Sequence, residues 1–211
     1  MKYEKSFIDF FSKQNVFDTS DARRFLSQLG ASDNYNRLML HNMVQSKKVL
    51  RIGKGIYTLQ RKEAAVGYAL RPFYYGLGYA LTIRKIWTQQ SVPVIITKTK
   101  GNPGIRELMG IKVIIHRIDP ERFFGFEYLN YDGMFVPVSD PEKTLLDFTY
   151  YRIKLDPDTL TELRNRIDES KLKDYSERMF IKSSHPRTSC ISSKNTFFLC
   201  PKSSMNVSIS I

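Results

Sequence analysis

The sequence from Val49 to Leu59 is Val-Leu-Arg-Ile-Gly-Lys-Gly-Ile-Tyr-Thr-Leu. β-branched and other apolar residues flank Gly53-Lys54-Gly55, and glycine supplies the backbone conformations that a tight hairpin turn requires. The stretch therefore predicts two short antiparallel strands. The two glycines also resemble a fragment of a phosphate-binding loop, but no P-loop or G-x-G-x-x-G pattern follows, so we interpret them as hairpin glycines.

Three helices are predicted before this hairpin, because apolar residues recur there at a spacing of three and four. Asp18, Thr19 or Ser20 can cap the second helix, and Ser32 or Asp33 can cap the third. Two helices, a tight turn, a third helix and a hairpin follow one another in a winged helix-turn-helix. We therefore expect residues 1–62 to form a winged-helix DNA-binding domain.

The charge of the chain is concentrated in the same segment. The 211 residues carry a formal net charge of +12, and residues 1–62 hold 12 Lys/Arg against 5 Asp/Glu. A localised basic segment is typical of proteins that bind nucleic acids or anionic surfaces. A general excess of basic residues that only keeps the protein soluble is the alternative interpretation.

Polar side chains share one face of the third predicted helix, opposite Leu40, Met43 and Val44. Guanidinium and amide groups are those that bind base edges in the major groove, and lysines beyond the helix can neutralise phosphates. The candidate DNA-binding residues are Asn34, Tyr35, Arg37, His41, Gln45, Lys47, Lys48, Arg51 and Lys54. A solvated helix face and a protein-interaction module are the alternatives.

Residues 63–182 predict a mixed α/β domain that ends in helices, which makes the whole chain α+β. We expect a helix over about 76–87, strands near 92–97, 111–118, 123–129 and 134–138, and a helix after Ser139, where Ser139 and Glu142 fit a capping box. Two amphipathic helices follow. The aromatic segment 73–79 is either part of the core or a stacking surface.

The last segment, 183–211, holds 9 serines and no acidic residue. We expect it to be a flexible tail. Cys190 and Cys200 are the chain's two cysteines, too few for a disulfide framework or a four-cysteine zinc site. We expect a cytoplasmic protein without a membrane span or a cofactor.

The stretch from Met39 to Tyr57 resembles the end of the winged helix in AbiEi-type antitoxins of type IV toxin–antitoxin systems. Residues 74–87 resemble that family's helix after the linker. The segment from His116 through Phe123-Phe-Gly125 to Val138-Ser-Asp-Pro-Glu-Lys-Thr-Leu-Leu-Asp147 is similar to its second domain. The resemblance covers about residues 5–152.

The resemblance implies a repressor of its own operon whose second domain counteracts a nucleotidyltransferase toxin. The expected partners are thus double-stranded operator DNA and a nucleotidyltransferase toxin. Independently of the resemblance, we also consider a homodimer. A stand-alone winged-helix regulator, whose second domain senses a ligand or a partner, is the alternative.

An enzyme is the third class of function considered. The chain has three histidines, which are scattered, and no nucleophile elbow or metal-ligand spacing is recognisable. The carboxylates of Asp132, Asp140, Glu142 and Asp147, with Lys143, suggest a magnesium-dependent nuclease as an alternative. Helix capping and an i, i+4 ion pair explain most of these residues. We therefore expect no catalytic or metal site.

Overall fold

Three helices and a small antiparallel sheet make up the N-terminal part of the chain. The computed structural model describes residues 2–180, so the predicted tail 183–211, with Cys190 and Cys200, lies outside the described residues. The first elements are helices α1 (Glu4–Phe11), α2 (Thr19–Gln28) and α3 (Asp33–Gln45) and strands β1 (Phe17–Asp18), β2 (Leu50–Gly53) and β3 (Ile56–Thr58). The strands lie in the order β1-β3-β2, and both pairs are antiparallel. The predicted hairpin is present, and β1 extends it.

Local hydrogen bonds explain where α2 and α3 begin. The carboxylate of Asp18 accepts the backbone N–H of Asp21 at 2.9 Å, and the Asp21 carboxylate accepts the N–H of Asp18 at 3.1 Å. This reciprocal pair is a capping box. The Ser32 hydroxyl accepts the N–H of Tyr35 at the start of α3. Between the helices, Gly30 has a φ of +82°, a conformation that glycine adopts without a steric cost.

A second, six-stranded sheet forms the centre of the rest of the chain. Its strands are β4 (Phe73–Tyr75), β5 (Val94–Thr97), β6 (Gly104–Leu108), β7 (Ile111–Arg117), β8 (Phe126–Tyr131) and β9 (Met134–Ser139). They lie in the order β6-β7-β5-β4-β9-β8. β5 pairs in parallel with β7 and β4 with β9, whereas the other pairs are antiparallel.

Helices surround this sheet. A 3-10 helix (Glu63–Leu70) leads into β4, and a second, short one (Pro120–Arg122) precedes β8. The α-helices are α4 (Leu77–Ile83), α5 (Pro141–Tyr150), α6 (Pro157–Arg164) and α7 (Glu169–Phe180). The prediction that Ser139 caps α5 is wrong: Asp140 is the N-cap residue, and its carboxylate accepts the N–H of Lys143 at 2.9 Å. Ser139 still belongs to β9.

The aromatic segment 73–79 is core. Tyr74, Tyr75 and Tyr79 are fully buried, so their rings are not available as a stacking surface. The predicted helix over 76–87 is shorter than expected, since α4 ends at Ile83.

Two clusters of buried side chains stabilise the structure. One joins α1, α2 and α3 through residues such as Phe7, Phe11 and Met43, and the other fills the second sheet and its helices. Ile52 of β2 belongs to the second cluster. The predicted α+β class is confirmed. Of the helices in residues 2–180, none has the length and hydropathy needed to span a bilayer.

Candidate nucleic-acid interface

One face of α3 is exposed along its whole length and carries mostly polar side chains. Asn34, Arg37, His41 and Gln45 all lie on it, while Met43 points into the N-terminal core and is fully buried. The division follows from the helical repeat, which places residues three and four apart on the same side. The structure therefore brings together four of the residues selected from the sequence.

Two further residues belong to this face and were missed from the sequence. Leu38 follows Asn34 by four positions and is 59% exposed, and Asn42 follows Leu38 by four and is also exposed. The same helical spacing that selected Asn34 could have found both residues. Apolar surface at Leu38 gives the middle of the face a group able to contact the C5-methyl group of thymine.

Tyr35 differs from the other candidates on α3. It is half-buried, and its ring packs edge-on against Tyr3, with the ring centroids 5.5 Å apart. Its hydroxyl is buried and finds no hydrogen-bond partner in residues 2–180. Tyr35 thus contributes to the packing of α3 on the segment that begins α1, at the edge of the exposed face.

An ion pair between α2 and α3 lies next to the first residue of the exposed face, Asn34. Arg23 Nε donates to Asp33 Oδ1 at 2.9 Å, and a second guanidinium nitrogen contacts Oδ2. Both side chains are exposed, so the pair contributes little to stability. Its effect on the face is electrostatic, because it compensates the negative charge next to Asn34.

Four cations lie beyond the end of α3 and on the hairpin, and all four are exposed. Lys47 lies two residues beyond the last residue of α3 and has a φ of +58°. Lys48 forms an ion pair with Glu4 of α1. Arg51 Nε donates to the Gly53 carbonyl at 3.1 Å, which holds its guanidinium along β2. Lys54 lies at the tip of the hairpin, between β2 and β3.

Asp140 and Glu142, two of the four carboxylates that suggested a nuclease, are used in packing, whereas Asp132 is exposed between β8 and β9. Glu142 Oε1 accepts the backbone N–H of Asp168 at 2.8 Å, and its Oε2 lies 3.3 Å from Lys171 Nζ. The Lys171 ammonium also lies 2.9 Å from Asp140 Oδ2. These contacts connect α5 to α7 and to Asp168, the residue that precedes α7. Within residues 2–180, no three His, Cys, Asp or Glu side chains are placed to hold a metal ion together.

Asp147 and Lys143 form a completely buried ion pair on α5. The other carboxylate oxygen of Asp147 accepts a hydrogen bond from the Tyr74 hydroxyl at 3.0 Å. Burial raises the pKa of Asp147 to about 6, even though Lys143 and Tyr74 oppose the shift. Burial also lowers the pKa of Lys143. The predicted i, i+4 pair is present, and the hydrogen bond from Tyr74 of β4 also connects α5 to the sheet.

His116 lies on β7, half-buried against the ring of Tyr151, with the ring centroids 4.5 Å apart. Burial lowers its pKa, so the imidazole is mostly neutral at pH 7. The contact places His116 in the packing between the sheet and the end of α5.

The exposed face of α3 and the cations after α3 and on the hairpin are thus adjacent in the chain, and together they form the candidate nucleic-acid interface. No protein-family model matches the chain, and a comparison with curated proteins finds no match either.

Proposed function

We propose that this chain is a DNA-binding transcriptional repressor and that its N-terminal part is a winged helix-turn-helix. The observation that carries the proposal is the exposed polar face of α3, which lies next in sequence to a basic hairpin. Three helices and a three-stranded antiparallel sheet, two strands of which form the hairpin after α3, support the winged-helix assignment. The excess of Lys/Arg over Asp/Glu in residues 1–62 supports an anionic partner.

In this proposal α3 enters the major groove. Arg37 binds a guanine through two hydrogen bonds, and Asn34 binds an adenine in the same way, because these side chains match the acceptors and donors of those base edges. His41 and Gln45 bind farther along the groove. Lys47, Arg51 and Lys54 neutralise phosphates without reading the sequence.

We further propose that the repressor is the antitoxin of a type IV toxin–antitoxin pair that regulates its own operon and counteracts a nucleotidyltransferase. The resemblance of residues 5–152 to AbiEi-type antitoxins supports this finer assignment. It also supports duplex operator DNA as a partner, and we further propose a homodimer. A stand-alone regulator with a sensing second domain is the second candidate.

The test of DNA binding uses the full chain and duplex DNA from upstream of its own gene. Each neutralised phosphate contributes about −0.9 to the slope of log K against log salt, so about four phosphates give a slope near −3.6. Because Lys48 is already paired with Glu4, we expect about three neutralised phosphates rather than four and therefore a slope near −2.7. Binding that does not depend on salt would contradict the proposal.

Two substitutions separate base contacts from phosphate contacts. Arg37→Ala should weaken binding to the specific site by about 1–3 kcal/mol and change binding to random DNA little. Lys54→Ala should weaken both about equally. Lys173→Ala, in an exposed residue of α7, is the control and should change neither. Equal losses on both DNAs for Arg37→Ala would show that Arg37 does not read a base and that α3 is not oriented as proposed.

A further inference from the structure

A cavity of about 230 Å³ lies beside the six-stranded sheet, at the β6 edge. Its apolar surface comes from Leu70, at the end of the first 3-10 helix, and from Leu108 of β6 and Ile115 of β7. Ile115 is buried and Leu108 half-buried, so both belong to the body of the sheet. The cavity therefore has an apolar floor that is part of the fold.

Three cations line the same cavity: Lys100, Arg106 and Arg117. The positions of the two arginines follow from the pleat. Arg106 shares a face of the sheet with Leu108, and Arg117 shares it with Ile115, because side chains two apart on a strand point the same way. Each arginine is thus adjacent to one floor residue, and the floor has a basic rim.

No acidic side chain lines the cavity, and within residues 2–180 none of the three cations forms an ion pair. All three are exposed, so their charges are available to a molecule at the mouth of the cavity. Thr99 and Asn102, also in the lining, add polar groups on the loop between β5 and β6. An apolar floor under a basic rim is complementary to a molecule with an apolar body and an anionic end.

We propose that this cavity binds a small organic phosphate monoester, with the phosphate on the basic rim and an apolar or ring-shaped body on the floor. A phosphate monoester carries a charge of about −1.5 to −2 at pH 7, which matches several cations better than a single carboxylate does. Arginine also binds phosphate through two parallel hydrogen bonds. The volume is small beside the 300–1,000 Å³ or so of typical ligand pockets, which favours a small metabolite over a dinucleotide.

The test uses the full chain and phenyl phosphate. This compound consists of a phosphate for the basic rim and an apolar ring for the floor. Inorganic phosphate and phenol each carry one of these two groups. By calorimetry or NMR titration, phenyl phosphate should bind with a dissociation constant about tenfold lower than either control. Arg106→Gln and Arg117→Gln should each raise that constant about tenfold, since each removes a charged phosphate contact.

Lys112→Gln is the matched control. Lys112 is an exposed cation on β7 whose side chain lies on the other face of the sheet from Arg117, and it should leave the dissociation constant unchanged. The proposal is overturned if phenyl phosphate shows no saturable binding or binds no better than inorganic phosphate. It is also overturned if the two arginine variants bind phenyl phosphate normally, or if they weaken duplex DNA binding while phenyl phosphate does not bind.

Discussion

Lys143 and Asp147 are unusual because both lie in the interior with no exposed side-chain surface. Removing two charges from water is costly, and their mutual attraction offsets that cost only when both partners are present. The Tyr74 hydroxyl and the Met179 sulfur, 3.6 Å from Lys143 Nζ, complete the surroundings of the pair. The pair therefore fixes α5 on the sheet more than it adds to stability.

Lys143→Met should lower the free energy of unfolding at pH 7 by about 3–5 kcal/mol, because it leaves the Asp147 carboxylate buried without a counter-charge. The double variant Lys143→Met/Asp147→Asn should recover most of that loss. Glu162→Gln is the control, since Glu162 and Arg166 form an i, i+4 pair that is half exposed, and its cost should stay below about 1 kcal/mol. Urea unfolding measures all three. A double variant no more stable than the single one would contradict this interpretation.

The same pair should make stability depend on pH. Asp147 has its pKa raised from 3.8 to about 6 in the folded chain, so the folded state binds a proton that the unfolded state releases. Its contribution is fully present below about pH 4 and is lost as the pH rises through about 6. The difference in unfolding free energy between wild type and Lys143→Met/Asp147→Asn should therefore fall across that window. A constant difference would show that Asp147 titrates elsewhere.

At the scale of elements, the 3-10 helix Glu63–Leu70 connects the hairpin to the second sheet. The Tyr75 hydroxyl of β4 accepts the N–H of Gly67 at 2.8 Å and donates to the carbonyl of Ala64 at 2.9 Å. On the hairpin side, a Cβ at Gly53 would lie 3.0 Å from the Ala69 side chain. The backbone of β2 therefore packs directly on this helix.

Gly67→Ala should destabilise the protein by about 1–3 kcal/mol, the usual cost of overpacking. The added Cβ would lie 2.0 Å from a ring carbon of Phe73, which is itself buried. Gly101→Ala, with no atom within 4 Å of the added Cβ, is the control and should change stability by less than about 0.5 kcal/mol. The measurement is the thermal unfolding midpoint of each variant. Equal midpoints would mean that the 3-10 helix can move away from β4 and accommodate the added methyl group.

The elements that the sequence predicted are those with local signals. Asp18 and Gly55 identify the start of α2 and the hairpin without tertiary information. β4 has no such signal, because a strand buried on both faces shows no alternation, and Phe73-Tyr74-Tyr75 runs on into α4. β6 was missed for the opposite reason: it is a mostly exposed edge strand.

The site was predictable to a similar extent. The polar face of α3 follows from helical spacing, which is a local property. The inward position of Tyr35 depends on its contact with Tyr3, which the spacing does not encode. Leu38 was missed because an apolar residue on a helix is normally assigned to the core.

At the scale of the whole molecule, residues 2–180 belong to one compact unit. Ile52 of the hairpin lies in the second core, and Asn15 bridges the two parts, accepting a hydrogen bond from Lys62 Nζ at 2.9 Å and donating one to the Gly133 carbonyl at 3.1 Å. Deleting residues 1–62 would uncover part of the second core. The proposed separation of DNA binding from toxin neutralisation is therefore better tested by substitution.

Under the proposed antitoxin function, the full-length variant Arg37→Ala/Lys54→Ala should lose repression of a reporter under its own promoter and still protect cells from any nucleotidyltransferase encoded beside it. Both side chains are exposed, so the fold should be unaffected. Repression and growth, measured in the same strain with wild type as the reference, separate the two tasks. Loss of protection together with repression would mean that neutralisation needs DNA binding. No protection by either form would favour the stand-alone regulator.

The parallel pairing of β4 with β9, through Tyr75 and Val138, has a consequence for synthesis on the ribosome. The N-terminal cluster takes its side chains from residues up to Leu59, so all of them leave the exit tunnel early. β4, in contrast, acquires its second neighbour only after β9 has been translated. Until then one edge of a strand made of three aromatic residues stays open to other nascent chains, so we expect the growing chain to be prone to aggregation during this interval.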